Sequence, residues 1–272
     1  MHPSNTPGKR FYRTELLLGS QALNVLQQSH AAIFGLGGVG SFAAEGLARS
    51  GVGHFTLVDF DSIGITNINR QIMATTSTIG QDKVSAMADR IREINPDAVI
   101  RTSKIFFEKE QIQSIFSEPY NVVIDAIDSF NPKIALMVEA FNSGYFLLSA
   151  MGAASKINPT TIKAGDLSET EVCPFARRIR KRLRTYGIEK GIQVVFSTEK
   201  PKMPFHPDEL PDDTHEVTFK KGRERMIQGS IAYIPAIFGM MLAGLAVQKI
   251  TGKLSAVSDL ENQPEILNGG EL

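Results

Sequence analysis

Residues 34–61, FGLGGVGSFAAEGLARSGVGHFTLVDFD, constrain the fold more than any other stretch of the chain. Ala31 to Leu36 reads as a strand, Val39 to Ser50 as a helix stopped by Gly51, and Phe55 to Phe60 as a second strand. A strand, a helix and a strand joined so closely require a right-handed crossover, so the two strands lie parallel in one sheet. Within GLGGVG, Gly35 permits the tight bend, Gly37 lets backbone approach a phosphate, and Gly40 lets the helix pack close on the strand. Gly38 clears the entrance of the helix, whose first turn offers unpaired N–H groups and a positive dipole end to an anion. Asp59, 24 residues after Gly35, stands where a carboxylate accepts from ribose hydroxyls. Turn and acid together predict an adenine nucleotide; an architectural crossover without a ligand is the alternative.

The same alternation continues downstream. A helix is expected over residues 15–28, before the glycine turn, and another over Gln81 to Ile94, with Val84, Met87, Ile91 and Ile94 on one face. Strands follow at Val99 to Ser103 and Asn121 to Ile127. Asn131 is expected to cap a helix that starts at Pro132 and stops at Gly144, and Tyr145 to Met151 returns as a fifth parallel strand. Beyond Met151 the pattern changes: Ile157 to Ala164 and Gln193 to Thr198 read as strands without helices of the earlier kind between them. The expectation is an α/β protein, a Rossmann-like nucleotide-binding fold whose mostly parallel sheet is extended by antiparallel strands. Four prolines between Lys200 and His215 predict a crossover loop, and Leu254 to Leu272 a loosely ordered tail.

Composition narrows the company this fold keeps. Lys plus Arg equals Asp plus Glu at 29 each, so no global field draws nucleic acid, although a local patch still can. A single cysteine, Cys173, excludes an intrachain disulfide framework, and the missing CxxC pairs remove the usual four-thiolate zinc site. The N-terminal MHPSNTPGKR has no apolar segment of a secretory signal, so a cytoplasmic location is expected. Met226 to Gln248 carries no charge and is long enough to span a bilayer. Gln228, Ser230, Tyr233 and Pro235 in its first half favour a buried helix over peripheral or integral membrane association.

The loops after the strands decide between cofactors. A nicotinamide site needs little cation beyond the pyrophosphate, whereas an ATP site must neutralise a triphosphate and usually holds a metal through a carboxylate. In DFDSIGITNINRQ, Asn67 and Arg70 lie on the loop after the second strand, within reach of phosphates at the carboxyl edge of the sheet. Lys83 sits in the first turn of a helix, where a cation opposes the macrodipole, which suggests an anion beside it. Asp125 and Asp128, in VVIDAIDSFNPK, follow a strand at the same edge, and either could hold Mg2+.

Gly35, Asp59, Arg70, Lys83 and Asp128 succeed one another at spacings of 24, 11, 13 and 45 residues. With the GxGGxG of Gly35 to Gly40, the DFD of Asp59 to Asp61 and the NxxRQ of Asn67 to Gln71, this set resembles the ubiquitin-activating-enzyme superfamily over residues 10–160. The resemblance implies ATP as cofactor and adenylation of a carboxylate. Asp59 would bind ribose, with Asp61 beside it. Asn67, Arg70 and Lys83 would bind phosphates, and Asp128 would coordinate magnesium. Arg13, in RFYRTELLLG, matches an arginine that relatives donate across a homodimer into the neighbouring site. The turn Met151 to Ser155 would line the acyl site or bind a monovalent cation, Na+ or K+; packing alone is the alternative.

Two branches of the superfamily differ in their acceptor. Sulfur-carrier activators generally add paired zinc-binding cysteines, and transthiolating members need an accessible cysteine; Cys173, at the mouth of an expected helix, is the only candidate, and a lone cysteine is more often simply packed. NRQI, DAIDSFNPKIAL, MGAASKINPTTIKAGDLSET, CPFARRIRKRLR and VVFSTEKP resemble a tRNA-modifying branch over nearly the whole chain, to about Lys249. That branch uses ATP to activate the carboxylate of threonylcarbamoyladenosine at position 37 of the tRNA anticodon loop and closes it to a cyclic hydantoin with net loss of water. Adenylation of the C-terminus of a ubiquitin-like sulfur-carrier protein is the alternative, and a sulfur-transfer partner stays open. No DNA partner is implied.

Beside this resemblance one basic segment points to RNA contact, with a solvated or lipid-facing basic helix as the alternative. RRIRKRLR places Arg177, Arg178, Arg180, Lys181, Arg182 and Arg184 on one segment, with Ile179 and Leu183 spaced to seat it as a helix. The expected organisation is one adenylating domain over 1–272: a nucleotide-binding part at 10–160, a substrate, RNA and dimer part at 161–250, and a tail at 251–272. None of His30, His54, His206 and His215 has a motif context, so no general base is assigned.

Overall fold

A computed structural model describes residues 10–105, 111, 115–116, 118–203 and 228–253. The chain opens with two helices, α1 (Tyr12–Leu18) and α2 (Ser20–Gln28), where one was expected over 15–28. Gly19 is the cause: at φ 90° its backbone leaves the helical region, and helix resumes only afterwards. Then come β1 (His30–Phe34), α3 (Gly40–Ser50), β2 (His54–Val58), α4 (Lys83–Ile94), β3 (Val99–Ser103), β4 (Val122–Asp125), α5 (Phe130–Asn142) and β5 (Leu147–Ala150). The second half adds β6 (Ile162–Asp166), α6 (Pro174–Arg184), β7 (Gln193–Ser197) and α7 (Tyr233–Ile250).

Seven strands form one sheet in the order β3-β2-β1-β4-β5-β7-β6. All neighbouring pairs are parallel except β6 with β7, so the expected antiparallel extension is β6 alone; β7 joins β5 in parallel. Strands covered on both faces must be apolar on both sides, and Ala31 to Phe34 and Val122 to Asp125 are buried throughout, whereas edge strand β3 is largely exposed. One core lies under α3, α4 and α7, with Leu47, Phe55, Met87, Phe238 and Leu242 fully buried. The other lies under α5 and α6, around Phe34, Leu136, Met137, Ile179 and Leu183. Each such side chain contributes about 1.5–3 kcal/mol by leaving water.

Boundaries shift where local chemistry intervenes. α5 starts at Phe130 with Ser129, not Asn131, at its cap position, so Pro132 falls inside the first turn, where no backbone N–H partner is lost. β6 starts at Ile162 instead of Ile157, because Asn158 caps a short 3-10 turn at Pro159–Thr161. α7 starts at Tyr233 instead of Met226; residues 226 and 227, most of the proline-rich crossover and the 254–272 tail lie outside the described residues. α7 is the one helix among the described residues long and apolar enough to cross a membrane. Ile234, Phe238, Leu242, Ala243 and Ala246 on it are nevertheless core residues, and a Cβ on Gly239 would collide with the Val39 carbonyl at the start of α3.

Candidate active site

The carboxyl ends of β1, β2 and β4 stand side by side, Phe34 between Val58 and Asp125, and their following loops meet at one edge. Gly35 turns the chain at φ 86° and donates its N–H to Val58 O at 2.8 Å. A Cβ on it would lie 2.8 Å from the Ala126 carbonyl oxygen, and a Cβ on Gly40 would collide with the carbonyl of Gly35. Gly38 faces Pro235 of α7 and the Arg70 carbonyl, at 3.1 and 3.2 Å from where its Cβ would be. A Cβ on Gly37 would meet nothing within 4 Å. Three of these four glycines therefore serve close packing, and only Gly37 borders open space.

Asp59 is 8% exposed and braces this turn: one carboxylate oxygen accepts from Leu36 N–H at 2.5 Å, the other from Asp61 N–H at 2.9 Å. Burial pushes its carboxyl above the usual range, and Lys83 and the two N–H donors pull it partly back. Each oxygen keeps a lone pair for a hydroxyl. The anion expected beside Lys83 is Asp61, whose Oδ2 is 2.7 Å from the ammonium; the lysine side chain is 6% exposed and the carboxylate 44%. Such a pair can admit a second anion without stranding a buried charge.

The NINRQ loop closes the site from the other side. Asn67 is buried and its Oδ1 accepts from Gly64 N–H at 3.1 Å, while Arg70 donates to Thr66 O at 2.8 Å and Asn69 Oδ1 at 3.2 Å. Asn69 in turn donates to Ser230 O at 3.1 Å, just before α7. The segment leading into α7 also holds the loop after β5: Ser155, at φ 60°, donates its N–H to Gly229 O, and Tyr233 Oη donates to Ile157 O, both at 2.8 Å. Residues 228–235 thus tie the NINRQ loop to the Met151 to Ser155 turn.

The two acids of DAID separate sharply. Asp125 is fully buried, with Lys133 Nζ at 2.8 Å and the Ser149 hydroxyl donating at 2.7 Å, so it cannot serve as the magnesium ligand that sequence alone left open. Asp128 is exposed on the loop beyond it and accepts from the Ser129 hydroxyl at 3.2 Å. No group of three or more His, Cys, Asp or Glu side chains suited to a metal occurs among the described residues. Magnesium, which commonly takes one or two carboxylates plus substrate phosphates, fits a site offering Asp128 alone.

Sequence reasoning missed Lys133 and Lys156, both buried. Lys133 carried a signal: a lone cation in the apolar helix that follows an acid inside an apolar strand. At Lys156 burial lowers the ammonium pKa, while Cys173 and Glu199 oppose the shift. Cys173 is buried at the cap position of α6, its Sγ 3.8 Å from where a Gly152 Cβ would lie.

α6 carries the basic run from this edge. Arg177, Arg178, Lys181, Arg182 and Arg184 are exposed, with Arg178 over the Phe130 ring at 4.8 Å and Arg182 over Tyr186 at 5.5 Å. Arg180 departs from the expectation of a purely outward cation: it is half-buried and donates to Thr170 O at 2.6 Å, tethering the helix to the preceding turn. Arg13 is exposed on α1.

A parallel sheet with a glycine turn, a helix start and a bracing acid at its carboxyl edge defines a nucleotide-binding α/β protein. The chain belongs to the ThiF family, whose model matches residues 11–269. It is 41% identical over 241 residues to a tRNA threonylcarbamoyladenosine dehydratase of Bacillus subtilis, covering 89% of this chain and 94% of that protein. A protein of the same name from Escherichia coli is 36% identical over 259 residues, covering 90% of this chain and 94% of its own length. The crystal structure of the E. coli tRNA N6-threonylcarbamoyladenosine dehydratase in complex with ATP superposes with a TM-score of 0.81 at 35% identity, covering 92% of this chain and 97% of that one.

Proposed function

We propose that this protein is an ATP-dependent tRNA threonylcarbamoyladenosine dehydratase. The observation that carries the reading is the convergence, at one sheet edge, of the open space at Gly37, the Asp61–Lys83 pair and Asp128, from which the basic helix α6 also departs. ATP lies along the glycine turn, its ribose on Asp59 and its phosphates toward Asn67, Arg70 and Lys83. Asp128 is the residue that would hold a magnesium ion, which when bound would supply charge neutralisation for the leaving pyrophosphate. The threonyl carboxylate of the modified adenosine attacks the α-phosphorus and pyrophosphate departs. The carbamoyl nitrogen then attacks the activated carbonyl, loses its proton, and expels AMP as the hydantoin closes. Arg70, Lys83 and the Arg13 of a second subunit offset the charge that develops, and the aligned adenylate makes ring closure effectively unimolecular.

The anticodon loop docks along α6 on Arg177, Arg178, Lys181, Arg182 and Arg184, and the Met151 to Ser155 turn borders the acyl group and would hold a monovalent cation. The enzyme works as a cytoplasmic homodimer, with α7 as a core helix. Incubation with MgATP and threonylcarbamoyl-modified tRNA should yield AMP, pyrophosphate and a nucleoside lighter by one water on mass spectrometry. An intact nucleoside after mild workup refutes the reading, and pyrophosphate exchange that depends on a ubiquitin-like protein instead of RNA replaces it.

A further inference from the structure

Among the described residues the only ion pair with both side chains fully buried stands directly behind the loop that carries Asp128. Asp125 ends β4, Ser149 lies on β5 and Lys133 on the second turn of α5, so three elements meet at one carboxylate. Lys133 Nζ lies 2.8 Å from Asp125 Oδ2, which also accepts from Ser149 Oγ at 2.7 Å. Asp125 Oδ1 takes the Ile127 N–H at 3.1 Å, and Lys133 Nζ donates to the Ile127 carbonyl at 3.0 Å. Both polar groups of Ile127 are therefore held by one ion pair, and the peptide so fixed leads into Asp128. The loop's other end is fixed by Ala126, whose N–H donates to Phe34 O at 2.8 Å and whose carbonyl packs on Gly35.

A pair this deep is poorly explained by stability. Two buried charges regain by attraction little more than the hydration they lose, and well-packed apolar replacements are often as stable or more so. What apolar residues cannot do is grip both the N–H and the C=O of a turn. We infer that Asp125, Lys133 and Ser149 form a positioning triad that fixes the Ile127–Asp128 peptide against the glycine turn, so that Asp128 meets a nucleotide-bound divalent cation without rearranging. This rests on the assignment of Asp128 to magnesium in the proposed reading, but not on the RNA substrate. The residues touch neither nucleotide nor acyl group; their effect passes through Asp128 alone.

The distinguishing measurement is the gain in ATP affinity that Mg2+ confers, read by calorimetry with and without the metal, with no tRNA present. Removing one charge strands the other, so the informative variant is the neutral double substitution Asp125→Asn with Lys133→Met, and Ser149→Ala is a milder companion that keeps the ion pair. The double variant should bind metal-free ATP within about twofold of the parent, yet lose the Mg2+-dependent gain by about tenfold, as Asp128→Ala should; Ser149→Ala should lose part of it. A Mg2+ gain that survives the double substitution overturns the proposal, as does an equal loss of metal-free binding, which would make the triad a general prop of the fold. If the double variant does not unfold cooperatively, Ser149→Ala decides: an unchanged Mg2+ gain overturns the triad. Unchanged Mg2+ dependence in Asp128→Ala overturns it at its root. Failure of tRNA dehydration with these binding results intact would sink the substrate assignment and leave the triad standing.

Discussion

Two lysine–aspartate pairs flank the glycine turn, one beyond β2 and one beyond β4, at the same N···O distance within 0.1 Å: 2.7 Å for Lys83–Asp61 and 2.8 Å for Lys133–Asp125. Both lysines are buried, and the difference lies at the carboxylate. Asp61 keeps 44% of its side chain in solvent, whereas both members of the second pair are at 0%. An open pair can share its cation with an incoming phosphate, because water and counterions compensate the displaced carboxylate. A closed pair cannot exchange partners without leaving a charge in apolar surroundings, which costs several kcal/mol. Equal bond lengths thus go with opposite employments in the proposed reading: the open pair is available to a phosphate, and the closed one shapes the backbone that carries Asp128.

The sharpest break in this comparison comes from truncating one lysine at a time. Lys133→Ala should cost about 3–5 kcal/mol of folding stability, because Asp125 is left buried and unpaired; urea denaturation measures it, and a loss under about 1 kcal/mol would mean the pair is not closed. Lys83→Ala should change stability by only about 1 kcal/mol, since Asp61 can turn to water, while ATP–pyrophosphate exchange supported by modified tRNA falls by about 10²–10³-fold. If instead the exchange rate holds and the protein melts early, the two pairs have traded roles.

The opposite end of β1 supplies a contrast that involves no ion pair. His30 accepts or donates at 2.9 Å to Thr56 Oγ1 and meets the edge of Tyr120, and burial, followed by His54 and Arg101, lowers its pKa to about 4. A histidine depressed in the folded state binds its proton first in the unfolded chain. Its contribution is complete above the unfolded value of about 6.5 and is lost as pH falls toward 4. Discounted for partial exposure, His30→Gln should remove roughly 1–2 kcal/mol of the acid-induced destabilisation between those limits, read from urea midpoints against pH. An unchanged pH profile would show that the carboxylates alone set acid stability.

The smallest effect separates the outward cations of α6 from the inward one. Arg177→Ala or Arg184→Ala should lower the salt dependence of tRNA binding by about one unit in the log–log slope, with ATP affinity untouched. Arg180→Ala should leave the slope nearly intact and lower the melting temperature, because its contact is with Thr170. Equal slopes for all three variants would make α6 a solvated face.

Local signals made the first half legible. β3 falls on Val99–Ser103 as expected, and the glycine turn, α3 and α4 follow from apolar periodicity and steric punctuation within a few residues of chain. What escaped depends on partners far away in sequence. Nothing near Gln193 announces that β7 lies between β5 and β6, and nothing near Gly38 names Pro235 as its neighbour. In the candidate site, the sequence places Asp59, Asp61, Lys83 and Asp128 on the loops and helix start that follow β2 and β4, and the structure puts them there, because strand ends and helix starts are marked by local signals. Lys133 was missed because its partner Asp125 is eight residues away across a strand-to-helix loop, and only the fold shows both to be dry.

The wall that Pro235 sets against Gly38 has a consequence in time. Ribosomes deliver the N-terminus first, so the glycine turn, the NINRQ loop and Asp128 emerge long before α7 exists to cover α3 or residues 228–235 to tie the two loops together. Through most of synthesis the nucleotide cleft is a trough open along one side, with the apolar face of α3 uncovered. Only when α7 has left the exit tunnel does the nascent chain acquire both walls, so the cleft is completed late, by a segment some two hundred residues after the glycine turn.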